Sequence, residues 1–293
     1  MEKLVLGTVQ MGLNYGINNS SGKVSIKESH QILLKAFQSS ITTLDTAEVY
    51  GNAHQVIGDF HKKNDNCKFQ IITKFPNGIE ANSIEAKVLE YLDVLGVKCL
   101  EVLMFHSFES FKNNRQAIDL LSELKLKGYI NHIGASVYTN DQIEYLIEED
   151  SISVVQLPFN LLDNISVRGN LMDKLKANGK IIHTRSAFLQ GLFFKNTNDK
   201  NRIVKKLHSE LEILNKVTAE SKCSMEELAL SYCIYQDNID NVVIGVDSID
   251  QLNSNIKASS YLIGDDFIQK IDNIKVKDLN LLNPSLWQDL KQY

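Results

Sequence analysis

The sequence predicts an α/β fold, a single-domain (β/α)8 TIM barrel, on three observations. Eight short apolar segments recur along the chain, helices with one apolar face lie between them, and the spacing of segment ends is nearly constant. The polar residues closing successive segments fall 29, 32, 30, 20 and 29 residues apart (45→74, 74→106, 106→136, 136→156 and 156→185), which leaves room for a helical crossover between parallel strands each time.

In order, Lys3 to Thr8 forms the first strand. A loop rich in glycine and asparagine follows, Gln10-Met11-Gly12-Leu13-Asn14-Tyr15-Gly16, whose glycines suit either close backbone approach to a ligand or a plain turn. Ser25 to Glu28 has the form of a capping box and opens a helix bearing Ile32, Leu33, Ala36 and Phe37. Thr42-Thr43-Leu44 is the second strand, and His54 to Phe60 begins the next helix. Asp45 and Tyr50, within Leu44-Asp45-Thr46-Ala47-Glu48-Val49-Tyr50-Gly51, therefore sit on a strand-to-helix loop, where reactive side chains gather. Alone, that stretch reads equally as an ordinary turn.

Phe69 to Lys74 is the third strand, followed by a helix with Ile84, Val88, Leu92 and Leu95 on one face. Leu100 to His106 and Ile130 to Ser136 are the fourth and fifth, separated by a helix carrying Ile118, Leu121 and Leu124. A capping box from Thr139 to Gln142 precedes the sixth strand, Ser153 to Gln156; Leu171 and Leu175 mark the helix before the seventh, Lys180 to Arg185. The step from Arg185 to Ile244 is 59 residues, enough for two helices. One carries Ile203, Leu207, Leu211 and Leu214, and an extra one opens at the capping box Ser224 to Glu227, ahead of the last strand, Asn241 to Ile244. A doubly wound open sheet is the competing layout, disfavoured because the first strand-to-helix turn lacks G-x-G-x-x-G.

At 293 residues and 43% hydrophobic content the chain suits one barrel domain over 1–293, with no linker or repeat to divide it. A formal charge of −5 leaves no basic footprint for nucleic acid or an acidic membrane, so a small-molecule partner is expected. Cys67, Cys99, Cys223 and Cys233 are scattered, indicating neither a metal centre nor a disulfide framework. The N-terminus lacks a signal-peptide pattern, and no apolar run approaches the ~18 residues needed to cross a bilayer, so a cytoplasmic protein is expected. Oligomeric state is not legible.

In such a barrel chemistry occurs at the carboxyl ends of the strands. That places Asp45, Lys74 and His106 at one rim, with Tyr50 just above. At this point the chain closely resembles the aldo-keto reductase family, essentially end to end. The Asp-Tyr-Lys-His tetrad of that family is matched by Asp45 and Tyr50 in LDTAEVYG, Lys74 in IITKF and His106 in EVLMFHS. Further matches are IGASVY around Ser136, VVQLPFNLLD around Gln156 and Asn160, HTRSAFLQGLFF from His183, and VIGVDSIDQLNSN from Val243.

The resemblance implies reduction of an aldehyde or ketone with NADPH or NADH extended across the rim. Tyr50 would donate the proton, and Lys74 would favour its phenolate by charge. Asp45 would hold Lys74, and His106 would bond the carbonyl oxygen. For the cofactor it implies Thr8, Ser136 and Gln156, with Val137 where an asparagine often stands, and Arg185 in place of an aromatic ring stacked on the nicotinamide. Ser186, Phe188 and Gln190 match the loop following the pyrophosphate.

The adenosine end departs from the family's pattern. It reads Gly245-Val246-Asp247-Ser248, with Gln251 where an Arg is common and Asn255 one turn on. Asp247 would repel a 2′-phosphate, so NADPH preference should be weak and NADH should serve as well. Ser248 to Gln251 is also a capping box, so these two residues have a structural reading too.

Substrate choice is expected from Met11, Tyr15, Phe108, Phe111, Phe159, Leu161, Phe188 and a C-terminal tail, Leu279 to Trp287, folded over the rim; Trp287 alternatively packs the tail onto the barrel. GTVQMGLNYGINN resembles bacterial members of sugar and surface-polysaccharide pathways, which implies a keto- or aldo-sugar, nucleotide-linked or free. A second reading is a cofactor-binding regulatory or scaffold protein on the same fold, against which the absence of an extra N-terminal domain weighs.

Overall fold

The computed structural model of the chain describes residues 3–19 and 22–287. Met1 and Glu2, the start of the stretch expected to enter the first strand, lie outside these. Eight parallel strands close into a barrel in chain order: β1 (Leu4–Gly7), β2 (Thr43–Asp45), β3 (Gln70–Phe75), β4 (Leu100–Phe105), β5 (Ile130–Ser136), β6 (Val154–Pro158), β7 (Ile181–Arg185) and β8 (Asn241–Gly245), with β8 pairing back onto β1. All eight expected strands are present, with ends displaced by no more than two residues.

The helices, in order, are α1 (Val9–Gly12), α2 (Ile26–Gln38), α3 (Ala53–Lys63), α4 (Ile84–Leu95), α5 (Phe108–Asn113), α6 (Ile118–Leu126), α7 (Asn140–Ile147), α8 (Ile165–Ala177), α9 (Arg202–Lys206), α10 (His208–Ser221), α11 (Met225–Tyr235), α12 (Ile249–Ala258) and α13 (Asp265–Asp272). The full capping boxes at α7 and α11 form as read from Thr139–Gln142 and Ser224–Glu227. At α2 only half forms, Ser25 accepting from the Glu28 N–H. Four features differ from expectation, two of them being helices not expected from the sequence, α5 and α13. The loop after β1 begins with the short helix α1, and the first helix after β7 breaks at Leu207 into α9 and α10.

Alternation along the strands positions everything that follows. Residues two apart face the same side of a strand. Val5, Ile72, Val102, Met104 and Val154 form one apolar cluster, joined by Ile181 and Val243. The strand parity that carries this cluster brings Gly7, Lys74, Gln156 and Gly245 inward two residues further on, and Arg185 four residues beyond Ile181. The barrel interior is thus apolar at mid-height and polar at its carboxyl end. A separate, larger cluster, including Leu6, Leu44, Ile71, Leu103, Val155 and Ile182, fills the space between strands and helices. No helix among the described residues is long and apolar enough to cross a membrane.

The C-terminal segment after α13 is anchored rather than loose. Asn164 Nδ2 donates to Ile271 O at 2.7 Å and Ile274 O at 3.0 Å, and Trp287 Nε1 donates to Leu281 O at 3.0 Å. Leu281, Leu282 and Trp287 are buried in the outer core, while Ser285 reaches the rim.

Candidate active site

A cleft of about 650 Å³ opens at the carboxyl ends of the strands. Its lining contains every catalytic and cofactor residue expected from the sequence: Asp45, Tyr50, Lys74 and His106, then Thr8, Ser136, Gln156, Arg185, Ser186, Phe188, Gln190, Gly245, Asp247, Gln251 and Asn255. These come from all eight strand ends and the loops and helices after them, a convergence that only closure of the barrel produces.

At one end of the cleft Lys74, 1% exposed, donates its Nζ to Asp45 Oδ1 at 2.6 Å and to Thr46 O at 3.1 Å. The second oxygen of the same carboxylate accepts from Gln156 Nε2 at 2.8 Å. Lys74 Nζ lies 5.6 Å from the centre of the half-buried Tyr50 ring, and the His106 ring meets that ring edge-on at 5.9 Å and 80°. Among the described residues the Tyr50 hydroxyl has no hydrogen-bond partner, and it lines the cleft.

The electrostatics correct one expectation. Lys74 was expected to draw the Tyr50 pKa down, yet the phenol is held well above its ordinary value, by burial first and by the Asp45 charge second. The ammonium of Lys74 is engaged with Asp45, so its field at Tyr50 is offset by the carboxylate. Burial also lowers the Lys74 pKa against the opposing pull of Asp45. His106 is pushed down to about 4 by burial and by Lys74, so its ring is neutral at physiological pH. The site therefore presents a protonated phenol and a neutral imidazole.

Loop geometry fixes Tyr50. A Cβ on Gly12 of α1 would lie 1.7 Å from Tyr50 O, and one on Gly51, at φ +56°, would lie 2.5 Å from Gly12 O. Gly12 thus permits backbone to approach backbone rather than a ligand. Glu48 accepts from Tyr91 Oη and from Lys87 Nζ at 2.9 Å, tying this loop to α4. Thr8 likewise serves the frame, its Oγ1 donating to Asp45 O at 3.1 Å.

Along the cleft, Val137 is buried and gives only its backbone, its N–H to Gln156 O and its O to Arg185 Nη2 at 3.1 Å. Arg185 stacks on Tyr138, 4.0 Å from guanidinium carbon to ring centre. The segment after β7 is unusual, with left-handed backbone at Ser186, Leu189, Gln190 and Gly191. The loop after α1 is bonded to it, through Ile17 N–H to Gln190 O at 3.2 Å and Gln190 Nε2 to Tyr15 Oη at 2.8 Å. At the far end Ser248 caps α12 by accepting from the Gln251 N–H. Gln251 Oε1 accepts from the Asp247 N–H at 2.7 Å, one residue short of a reciprocal box, and Asp247 Oδ1 accepts from Asn19 Nδ2.

Several expected substrate-lining residues are elsewhere. Met11, Phe111, Phe159 and Leu161 are buried in the core between barrel and helices, and Phe108 packs against Phe111 and Tyr145. Trp287 packs the tail, leaving Ser285 as the tail residue in the lining. Tyr15 and Phe188 do line the cleft. Gln10, Asn18, Asn19, Tyr138, Phe194 and Glu226 line it too and were missed. Tyr138 was within reach, because it ends the matched IGASVY segment; nothing in the sequence distinguishes Glu226.

The model of the aldo/keto reductase family matches residues 3–276. The chain belongs to that family. Among the relatives of this aldo/keto reductase are the NADH-specific methylglyoxal reductase of Escherichia coli, 23% identical over 313 aligned positions covering 90% of this chain and 95% of that protein, and the L-glyceraldehyde 3-phosphate reductase of the same species, also 23% identical, covering 85% and 84%. The holo form of an aldo-keto reductase from Bacillus halodurans superposes with a TM-score of 0.77 at 20% identity, covering 94% of this chain and 93% of that one. This aldo/keto reductase is an NAD(P)H-dependent oxidoreductase that reduces the carbonyl group of a small molecule.

The cleft fits the nicotinamide cofactor on its own chemistry: amides and hydroxyls line it, among them Gln10, Ser136, Gln156, Ser186, Gln190 and Asn255.

Proposed function

We propose that this aldo/keto reductase converts a small polyhydroxylated aldehyde or ketone, such as a keto- or aldo-sugar, to the alcohol, with Tyr50 as proton donor. One observation carries the reading: Tyr50, His106 and the Asp45–Lys74 pair meet at one end of the cleft, with the phenol hydroxyl unpartnered and protonated. Ser136 and the carbonyl of Gln156 are suited to holding the nicotinamide amide, and Arg185, Ser186, Phe188 and Gln190 border its path.

The bound cofactor supplies a hydride to the carbonyl carbon. Oxygen then becomes basic, and the Tyr50 proton moves to it. His106, neutral, donates to the same oxygen and orients it. The phenolate left behind is favoured by the Arg185 charge, while Lys74, held in place by Asp45, lies 5.6 Å from the ring centre. A phenol whose pKa is raised is the appropriate partner for an alkoxide, which is the stronger base.

Polar groups at the mouth support a hydroxylated substrate: Asn18, Tyr15 and Tyr138 border it beside Phe188 and Phe194, while Phe108, Phe111 and Phe159 pack into the core. At the adenosine end the charged lining residues are Asp247 and Glu226, both acidic, which suits the ribose diol of NADH better than a 2′-phosphate.

Oxidation of NADH and NADPH against a panel of aldehydes, ketones and sugars, for wild type and Tyr50→Phe, tests this. Turnover lost on Tyr50→Phe supports the reading. Tight cofactor binding with no wild-type turnover would overturn it, and a several-hundredfold preference for NADPH would overturn the cofactor assignment.

A further inference from the structure

Two arginines contact Tyr138, and their hydrogen bonding is unequal. Arg168 has four of its five donors engaged: Nε donates to Asp163 Oδ1 at 2.6 Å, Nη2 to Asp163 Oδ2 at 2.9 Å and to Tyr138 O at 2.8 Å, and Nη1 to Asn140 Oδ1 at 2.7 Å. Arg185, half-buried at the end of β7, uses one donor among the described residues, Nη2 to Val137 O. Its guanidinium lies over the Tyr138 ring, and it lines the cleft with Tyr50 and His106.

No carboxylate among the described residues pairs with it. Asp45 has both oxygens committed to Lys74 and Gln156, and Asp163 has both committed to Arg168. A partly desolvated guanidinium with four idle donors is costly unless an anion completes it. The Asp45–Lys74 pair cancels, leaving Arg185 as the net charge at this end of the cleft. The reduced nicotinamide ring is uncharged and leaves that charge unanswered.

We propose that Arg185 receives an acidic group of the substrate, a carboxylate or a phosphate, so that the enzyme selects carbonyl compounds carrying such an oxyanion. The fork geometry of a guanidinium suits bidentate capture of either group, and Tyr138 is the positioning residue that holds the fork. The inference rests on Tyr50 marking the carbonyl end of the cleft.

The test compares kcat/KM within two pairs, succinic semialdehyde against butanal and glyceraldehyde 3-phosphate against glyceraldehyde, for wild type, Arg185→Met and Arg185→Lys. Wild type should favour the acidic member at least tenfold in one pair, which identifies carboxylate or phosphate. Arg185→Met should bring that ratio near one, mainly through KM of the acidic substrate, and Arg185→Lys should recover part of it. Calorimetric titration with succinate and with glycerol 3-phosphate should show binding to wild type that Arg185→Met loses.

A wild-type ratio near one in both pairs overturns the inference while leaving the reductase reading intact. A ratio unchanged by Arg185→Met, with NADH binding weakened, overturns it by assigning the side chain to cofactor. If wild type reduces none of the four carbonyls, the reductase reading fails. Calorimetry then decides for Arg185 alone, binding lost in Arg185→Met supporting the anion site and absent binding overturning it.

Discussion

Gln156 and Asp45, 111 positions apart in the chain, share a hydrogen bond of 2.8 Å at the centre of the barrel mouth, on the carboxylate that also holds Lys74. The side chain expected to meet the cofactor amide thus also anchors the ion pair. Replacing it by an apolar side chain strands a buried carboxylate oxygen. Gln156→Met should cost about 1–3 kcal/mol in urea unfolding and should also weaken NADH binding, measured by fluorescence titration.

Tyr50 and Lys74 should separate in their effects. Tyr50→Phe removes a hydroxyl that has no hydrogen-bond partner among the described residues, so its urea midpoint should stay near wild type while kcat falls by roughly 10²–10⁴. Lys74→Met leaves Asp45 buried and half-unpaired, and should lose about 3–5 kcal/mol of stability as well as activity. Equal stability of the two variants would contradict the ion-pair account.

Gly12→Ala should be harmful although position 12 bears no reactive group. Its Cβ would lie 1.7 Å from Tyr50 O, so the backbone of one loop must shift. Kinetics and denaturation should show kcat falling by at least tenfold and stability by about 1–3 kcal/mol.

Three histidines make stability fall in mild acid. Burial holds His54, His106 and His183 each down to about 4, from an ordinary value of 6.5. Above pH 6.5 these rings are neutral in both folded and unfolded chains. Between 6.5 and about 4 the unfolded chain takes up protons that the native state refuses, so stability is lost as pH falls across that window, by up to about 1.4 kcal/mol per pH unit for each ring. Urea midpoints at pH 7.5, 6 and 5 should decline in that order, and His183→Asn should flatten the decline.

The parts legible in sequence are those set by local pattern. Strand runs such as Ile71-Ile72 and Val154-Val155 are apolar on both faces because both faces are buried, which marked the barrel directly. The tetrad was legible because its members stand at strand ends in recognisable segments. What was not legible depends on distances between chain segments that no spacing reveals: Glu48 reaching Tyr91, Gln156 reaching Asp45, Arg185 stacking on Tyr138. Phe111, Phe159 and Leu161 misled because an aromatic or aliphatic residue just beyond a strand end can turn outward to the helices as easily as over the mouth.

The contact between Gly12 and the backbone of Tyr50 has an evolutionary consequence. The first two loops interlock at a separation no side chain can enter, so insertions or substitutions in either would move the proton donor. New substrate preferences in descendants of this enzyme are therefore to be sought at lining residues outside that contact, such as Tyr15 and Asn18 after α1 or Tyr138 and Arg185 after β5 and β7, while Gly12 and Gly51 stay fixed.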